Sequence, residues 1–153
     1  MKICTLLFLL QDNEILLAQK KRGFGAGYWN GVGGKIEPNE TIEQAATREC
    51  QEEIGVIPKN LEKVAVHDFL FPDGMEDIKV HTFITKIWAG EPHETEEMAP
   101  QWFKLSDPPY AEMWDDDIVW LPLVLQGKKL KTTFTFDTDN HMRKAYLEIV
   151  EKL

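Results

Sequence analysis

This chain is poor in the features that would place it outside ordinary globular proteins. It has only two cysteines, Cys4 and Cys50. Both lie among apolar neighbours, which excludes a disulfide framework and reads as small core residues in a reducing compartment. Its longest apolar run, Thr5 to Leu10, is too short to span a bilayer. No small-residue cleavage site follows that run, and the Asp12-Asn13 turn leads into a second apolar stretch, so a first strand is expected instead of a signal peptide. Positive charge is in deficit. Seventeen Lys and Arg stand against 26 Asp and Glu, a net charge of −9, which argues against binding polymeric DNA or RNA through the backbone. Repeats, low-complexity tracts and linkers are all missing. What remains is 153 residues, 43% hydrophobic and 28% charged, the profile of one globular domain over residues 1–153. The expected setting is the cytoplasm and the expected state a monomer with no membrane contact.

Positive features concentrate between Gly34 and Val56, in GKIEPNETIEQAATRECQEEIGV. Thr41-Ile42-Glu43-Gln44 has the form of a capping box and Gly55 that of a helix C-terminal glycine, so a helix is expected over about 41–54. At about 100° per residue from Ile42, the apolar stripe Ile42, Ala45, Ala46, Cys50 and Ile54 centres near roughly +40°. Glu49 and Glu53 fall inside that stripe, at roughly −20° and +20°, and Glu52 at its edge near roughly −80°. Runs of charge on a helix are usually solvated, but inward carboxylates are costly unless a cation meets them. All-oxygen ligation points to Mg²⁺, with Mn²⁺ as a substitute, over zinc. Gly33-Gly34 just before the helix allows bare backbone to approach closely.

These residues resemble the Nudix box. Gly34, Glu40, Arg48-Glu49, Glu52-Glu53 and Gly55 occupy all its fixed positions at the right spacing, with Cys50 where an aliphatic residue is more usual. The resemblance implies an α+β fold, an α/β/α sandwich with a mixed sheet and two main helices. It also implies Mg²⁺-dependent cleavage of a nucleoside diphosphate linked to another group. Glu49, Glu52 and Glu53, with the carbonyl of Gly33 and with Glu97 from a separate loop, are the expected metal ligands. Glu53 or Glu97 would take the proton from the attacking water, and Arg48 would orient a glutamate. Lys20 and Lys35 are candidate phosphate contacts beside Gly33 and Gly34, though a Lys-Lys-Arg run can equally be solvated.

Blocks outside the box narrow the substrate. Lys20 to Gly27, Trp29-Asn30-Gly31, Glu97-Met98, Met113 to Asp117 and Trp120 to Leu123 resemble family members that hydrolyse oxidised purine nucleoside triphosphates, 8-oxo-dGTP and 2-hydroxy-dATP, to the monophosphate and pyrophosphate. That resemblance implies a role in cleansing the nucleotide pool. Residue chemistry agrees. Phe24 and Trp114 supply flat faces, Asn30 a donor and an acceptor, and Thr5 a hydroxyl. Asp116 and Asp117 are close enough for one to keep its proton. Asp115 makes the acids a triplet, so two of the three are expected to face the base, and helix capping is the plainer use of such a cluster. Core packing is the expectation for Trp120. Two other readings stay open: a general Nudix hydrolase of unmodified nucleotides or dinucleoside polyphosphates, and a non-catalytic nucleotide-binding module.

Elsewhere, strands are expected over 3–10, 14–19, 62–71, 78–88, 101–105 and around 133–136, with a second helix over about 117–127. Met142, Ala145, Tyr146 and Ile149 have helical spacing, while the family resemblance implies a final strand there.

Overall fold

The computed structural model describes residues 1–153. Its strands are β1 (Lys2–Gln11), β2 (Glu14–Lys20), β3 (Trp29–Asn30), β4 (Ile57–Lys59), β5 (Glu62–Leu70), β6 (Ile78–Thr85), β7 (Ile87–Ala89), β8 (Met98–Lys104), β9 (Lys129–Phe136) and β10 (Met142–Val150); the helices are α1 (Ile42–Ile54) and α2 (Asp117–Leu125). The main sheet runs β10-β9-β5-β6-β1-β2-β3, with β8 also paired to β2. It is mixed: β1 lies parallel to β6 and β5 parallel to β9, and the other pairings are antiparallel.

β1 shows why this is a sandwich. Successive side chains on a strand point to opposite faces. Leu7 and Leu9 therefore pack with Ala46, Cys50 and Ile54 of α1, and Phe8 and Leu10 with Trp120, Leu121 and Val124 of α2. A strand covered on both sides needs an unbroken apolar run, and Leu6-Leu7-Phe8-Leu9-Leu10 supplies one. Truncating the fully buried Phe8 to alanine is expected to cost about 3–5 kcal/mol.

α1 has its expected ends. The Thr41 hydroxyl accepts from the Gln44 amide at 3.1 Å, and the Gln44 side chain accepts from the Thr41 amide at 2.9 Å. Gly55 closes the helix at φ +74, where a Cβ would also fall 1.9 Å from the His93 ring. Conformation and space both require glycine there.

Several sequence boundaries move. The expected strand 78–88 divides at Lys86, and its second part, β7, pairs with β4 in a separate ribbon. The Thr85 hydroxyl donates to the Lys59 carbonyl at that division. Pro58 sits inside β4. β8 begins at Met98, before the expected Gln101, and includes Pro100. Its only partner is β2, and an edge strand tolerates a residue without an N–H. The tail forms β10, antiparallel to β9. Its helical spacing of apolar residues is a coincidence: Tyr146 and Ile149 are exposed, and the open edge of β9 decides the conformation.

Candidate active site

The glycine pair and α1 meet at close range. The Gly33 amide donates to Glu53 Oε1 at 2.7 Å. A Cβ on Gly33 would fall 1.9 Å from the Thr5 carbonyl oxygen, and one on Gly34 would fall 2.7 Å from the Glu49 carboxyl carbon. Only bare backbone fits between β1 and the helix. Glu53 is 4% exposed despite its charge. Burial pushes its carboxyl up to about 8, and Glu49 and Glu97 push the same way against the Gly33 amide and Lys20. Glu49 is also raised, mainly by burial, against the opposing pull of Arg48.

Arg48 is an organiser. Its guanidinium grips Glu40 with two bonds, at 2.7 and 3.0 Å, and donates to Glu49 Oε1 at 2.7 Å and to the Lys35 carbonyl at 3.1 Å. This fork ties the loop, the helix and one inward carboxylate into a single geometry. Glu52 and Glu97 differ from Glu49 and Glu53. Their side chains are 59% and 60% exposed, with Glu52 at 3.4 Å from Arg48 and Glu97 at 3.8 Å from Arg22. As they stand, no three acidic, histidine or cysteine side chains enclose a metal-sized space.

Gly33 and Gly34 also border a cavity of about 260 Å³, which Lys20, Asn30, Trp114, Asp116 and Asp117 line as well. The Trp114 ring lies 5.3 Å from Phe24 and 4.6 Å from Tyr28, so one wall is a cluster of flat rings. Polar atoms are few. Thr5 Oγ1 and Asp117 Oδ2 are buried with no protein partner. Asn30 Oδ1 accepts from the Gly31 amide at 2.8 Å, and Asp116 Oδ2 accepts from the Trp120 indole at 2.8 Å. Asp116 and Asp117 are 3% and 2% exposed. Burial, followed by its acidic neighbour, raises Asp117 well above its ordinary range, and burial takes Asp116 to about 6. Both shifts run in the direction that favours a protonated acid on this pair.

The triplet question has a geometric answer. Asp115 turns away, accepting from the Met142 amide at 3.0 Å. Asp116 stands at the N-cap of α2 with no side-chain capping bond; its carboxylate serves the indole. Trp120 is a fully buried core residue, as expected, and also borders the cavity. Lys35 does not line the cavity, whereas Lys20 does. Phe69, Phe71, Val80 and Phe136 line it without having been singled out in the sequence. They arrive from β5 and the residue just after it, β6 and β9, where alternation signals an inward face but not which inward residues reach an opening.

A NUDIX domain model matches residues 2–124. The chain belongs to the Nudix family. It is 45% identical over 152 residues to the oxidized purine nucleoside triphosphate hydrolase of Danio rerio, covering 99% of this chain and 97% of that one. Against the protein of the same name from Mus musculus it is 45% identical over 149 residues, covering 97% and 96%. Among solved structures, the mutator MutT protein from Bacillus halodurans superposes with a TM-score of 0.84 at 25% identity, over 97% of this chain and 98% of that one.

Nudix hydrolases generally use a divalent metal, and the donor set here suits one. Glu49 and Glu53 present hard oxygens toward backbone that carries no side chain, and burial, which raises both carboxyls, is a penalty that a bound divalent cation would offset. Glu52 and Glu97 have exposed side chains. No helix is long and apolar enough to cross a membrane.

Proposed function

We propose that this Nudix hydrolase acts on oxidised purine nucleoside triphosphates such as 8-oxo-dGTP and 2-hydroxy-dATP, releasing the nucleoside monophosphate and pyrophosphate and so keeping damaged bases out of nucleic acid. The observation that carries this reading is the buried Asp116–Asp117 pair beside the Trp114 wall, in a cavity that also touches the Gly33-Gly34 backbone. A neutral Asp beside an ionised one can donate and accept together. The edge of an oxidised purine differs from that of the normal base in those same two capacities. A pocket built to pair buried polar atoms rejects a ligand that leaves them unpaired.

The reaction is hydrolysis at the β-phosphorus. Water oxygen bonds to that phosphorus, the bridging oxygen between α and β leaves with the monophosphate, and one water proton must be accepted. Glu53 is the better placed acceptor: it is buried against the Gly33 amide, and a cation bound beside it would hold it ionised, whereas Glu97 stands in solvent near Arg22. Mg²⁺, held by Glu49, Glu52, Glu53, Glu97 and the Gly33 carbonyl, would neutralise phosphate oxygens and lower the pKa of bound water. Arg48 fixes Glu49, and Lys20 at the cavity border meets phosphate charge. Thr5 Oγ1 and the free amide nitrogen of Asn30 complete the base contacts, with Phe24 and Trp114 as stacking faces. The protein works as a cytoplasmic monomer of one domain.

The test is a panel of 8-oxo-dGTP, 2-hydroxy-dATP, dGTP and a dinucleoside polyphosphate, read by pyrophosphate or phosphate release with Mg²⁺ and with EDTA. Oxidised purines are expected to lead in kcat/KM by about a hundredfold or more. Equal values would leave a general Nudix hydrolase, and no turnover on any of them would leave a binding module.

A further inference from the structure

The segment Trp114 to Asp117 is a turn closed by the Asp117 amide on the Trp114 carbonyl at 3.0 Å. Three of its four side chains border the cavity. The fourth, Asp115, points the other way and meets the beginning of the C-terminal strand. Its Oδ2 accepts from the Met142 amide at 3.0 Å and faces His141 Nδ1 at 3.3 Å. His141 is itself held, because Asp137 Oδ1 accepts from its amide at 3.0 Å and from that of Asp139 at 2.8 Å, while Arg143 binds the other Asp137 oxygen.

A second path joins the same two places. Met142 stands opposite Phe136 in the β9–β10 ladder, whose register shifts between Met142 and Lys144. Phe136 lines the cavity and meets the Trp114 ring edge-on at 6.4 Å. Trp114, Asp115, Met142 and Phe136 thus form a closed ring of contacts, one link covalent, one a charge-assisted hydrogen bond, one a strand pairing and one aromatic. β10 pairs with nothing but β9, so the Asp115 bond also ties down the end of an edge strand.

We propose that Asp115 is a positioning residue. It anchors the base-reading turn to the C-terminal hairpin, so that β10, which contributes no lining residue, holds Trp114, Asp116 and Asp117 in register with the purine. This rests on the oxidised-purine reading only for the choice of ligand, because the anchor itself is visible in the free protein. A turn with one side chain in an aromatic wall and two buried acids needs such a restraint, since an ångström of drift unpairs polar atoms that water cannot reach.

The test compares Asp115→Ala with Asp115→Asn, whose amide oxygen still accepts from Met142. In the ligand-free state, amide exchange at Met142 is expected to accelerate about tenfold in Asp115→Ala, the loss of one charge-assisted bond, with shifted Trp114 and Trp120 indole signals. Asp115→Asn is expected to change neither. With 8-oxo-dGMP as ligand and EDTA present, Asp115→Ala is expected to bind about tenfold more weakly, and with 8-oxo-dGTP and Mg²⁺ to raise KM by a similar factor at nearly unchanged kcat. Indole signals that stay put in Asp115→Ala, or an equal defect in Asp115→Asn, would overturn the anchor. Should Asp115→Ala fail to fold, the wild-type protein still decides: coupling is reciprocal, so saturating 8-oxo-dGMP must slow exchange at Met142, and an unchanged rate counts against the proposal. Wild-type protein that ignores 8-oxo-dGMP refutes the substrate reading alone, since the ligand-free comparison still judges the anchor.

Discussion

On α1, Glu49 and Glu53 lie one helical turn apart with Arg48, a glycine amide and Lys20 around them; at the start of α2, Asp116 and Asp117 are adjacent in sequence and have an indole N–H for company. Both pairs are acidic, buried and close to the same cavity, yet they dispose of their charge by different means. The helix pair opens onto bare backbone and long exposed glutamates, a setting that a hard cation can complete. The aspartate pair sits against rings and core without a counter-charge, and both its carboxyls are raised, first by burial. Burial alone therefore does not say whether an acid cluster serves a metal or a base. The surroundings decide.

The sharpest way to break this contrast is at Glu53. Glu53→Gln is expected to lower kcat by about a thousandfold, within the range for removing a general base, while far-ultraviolet circular dichroism stays unchanged. Retained turnover would move the proton acceptor elsewhere. The same residue gives a pH test in EDTA. The folded protein holds the Glu53 proton up to about 8, while the unfolded chain releases it near its ordinary 4.5. More protons are bound in the folded state across that window, so metal-free stability falls as pH rises through it. In Glu53→Gln that part of the slope disappears, and its melting temperature is expected to exceed the wild type at pH 8. A parallel fall in both proteins would refute the assignment.

The aspartate pair answers to a different readout. Asp117→Asn is expected to reduce kcat/KM for 8-oxo-dGTP by about a hundredfold, with dGTP little affected, so selectivity is what falls. Asp116 is raised to about 6 and Asp117 is raised as well, so ionisation of one acid of the pair is expected as pH rises through that range. Selectivity in the wild type should accordingly grow from pH 5 to 7, and in Asp117→Asn it should not. Gly33→Ala joins the two sites. Its Cβ would strike the Thr5 carbonyl, and a loss of about tenfold or more in kcat/KM is expected, with lowered stability, because neither backbone can retreat cheaply. Normal kinetics would mean that the loop is looser than its contacts imply. The smallest effect is expected at Thr41→Ala, about 1 kcal/mol from the lost cap, read as a fall of a few degrees in melting temperature with kcat unchanged.

Much of the first site was legible in one dimension. Helical periodicity placed Glu49 and Glu53 inward and Glu52 at the edge, and burial follows that order. The capping box and Gly55 located both ends of α1, because these signals act within one turn of the chain. The second site was legible only as a list of residue types. Which of Asp115, Asp116 and Asp117 face the cavity depends on a turn whose outward member is held by Met142, a residue far along the chain. Phe69, Phe71, Val80 and Phe136 converge there from strands whose neighbours are chosen by pairing.

Local chemistry written into the chain was sufficient for the Nudix helix, its two ends, its inward acids and the first strand as a strand, since each depends on residues within a few positions of one another. The division of β6 from β7, the conversion of a helix-like tail into β10, the exposure of Glu52 and Glu97, and the outward turn of Asp115 were settled by packing. Each of these turns on which open edge, rim or hydrogen-bond partner lies nearby in space, and sequence spacing carries no record of that.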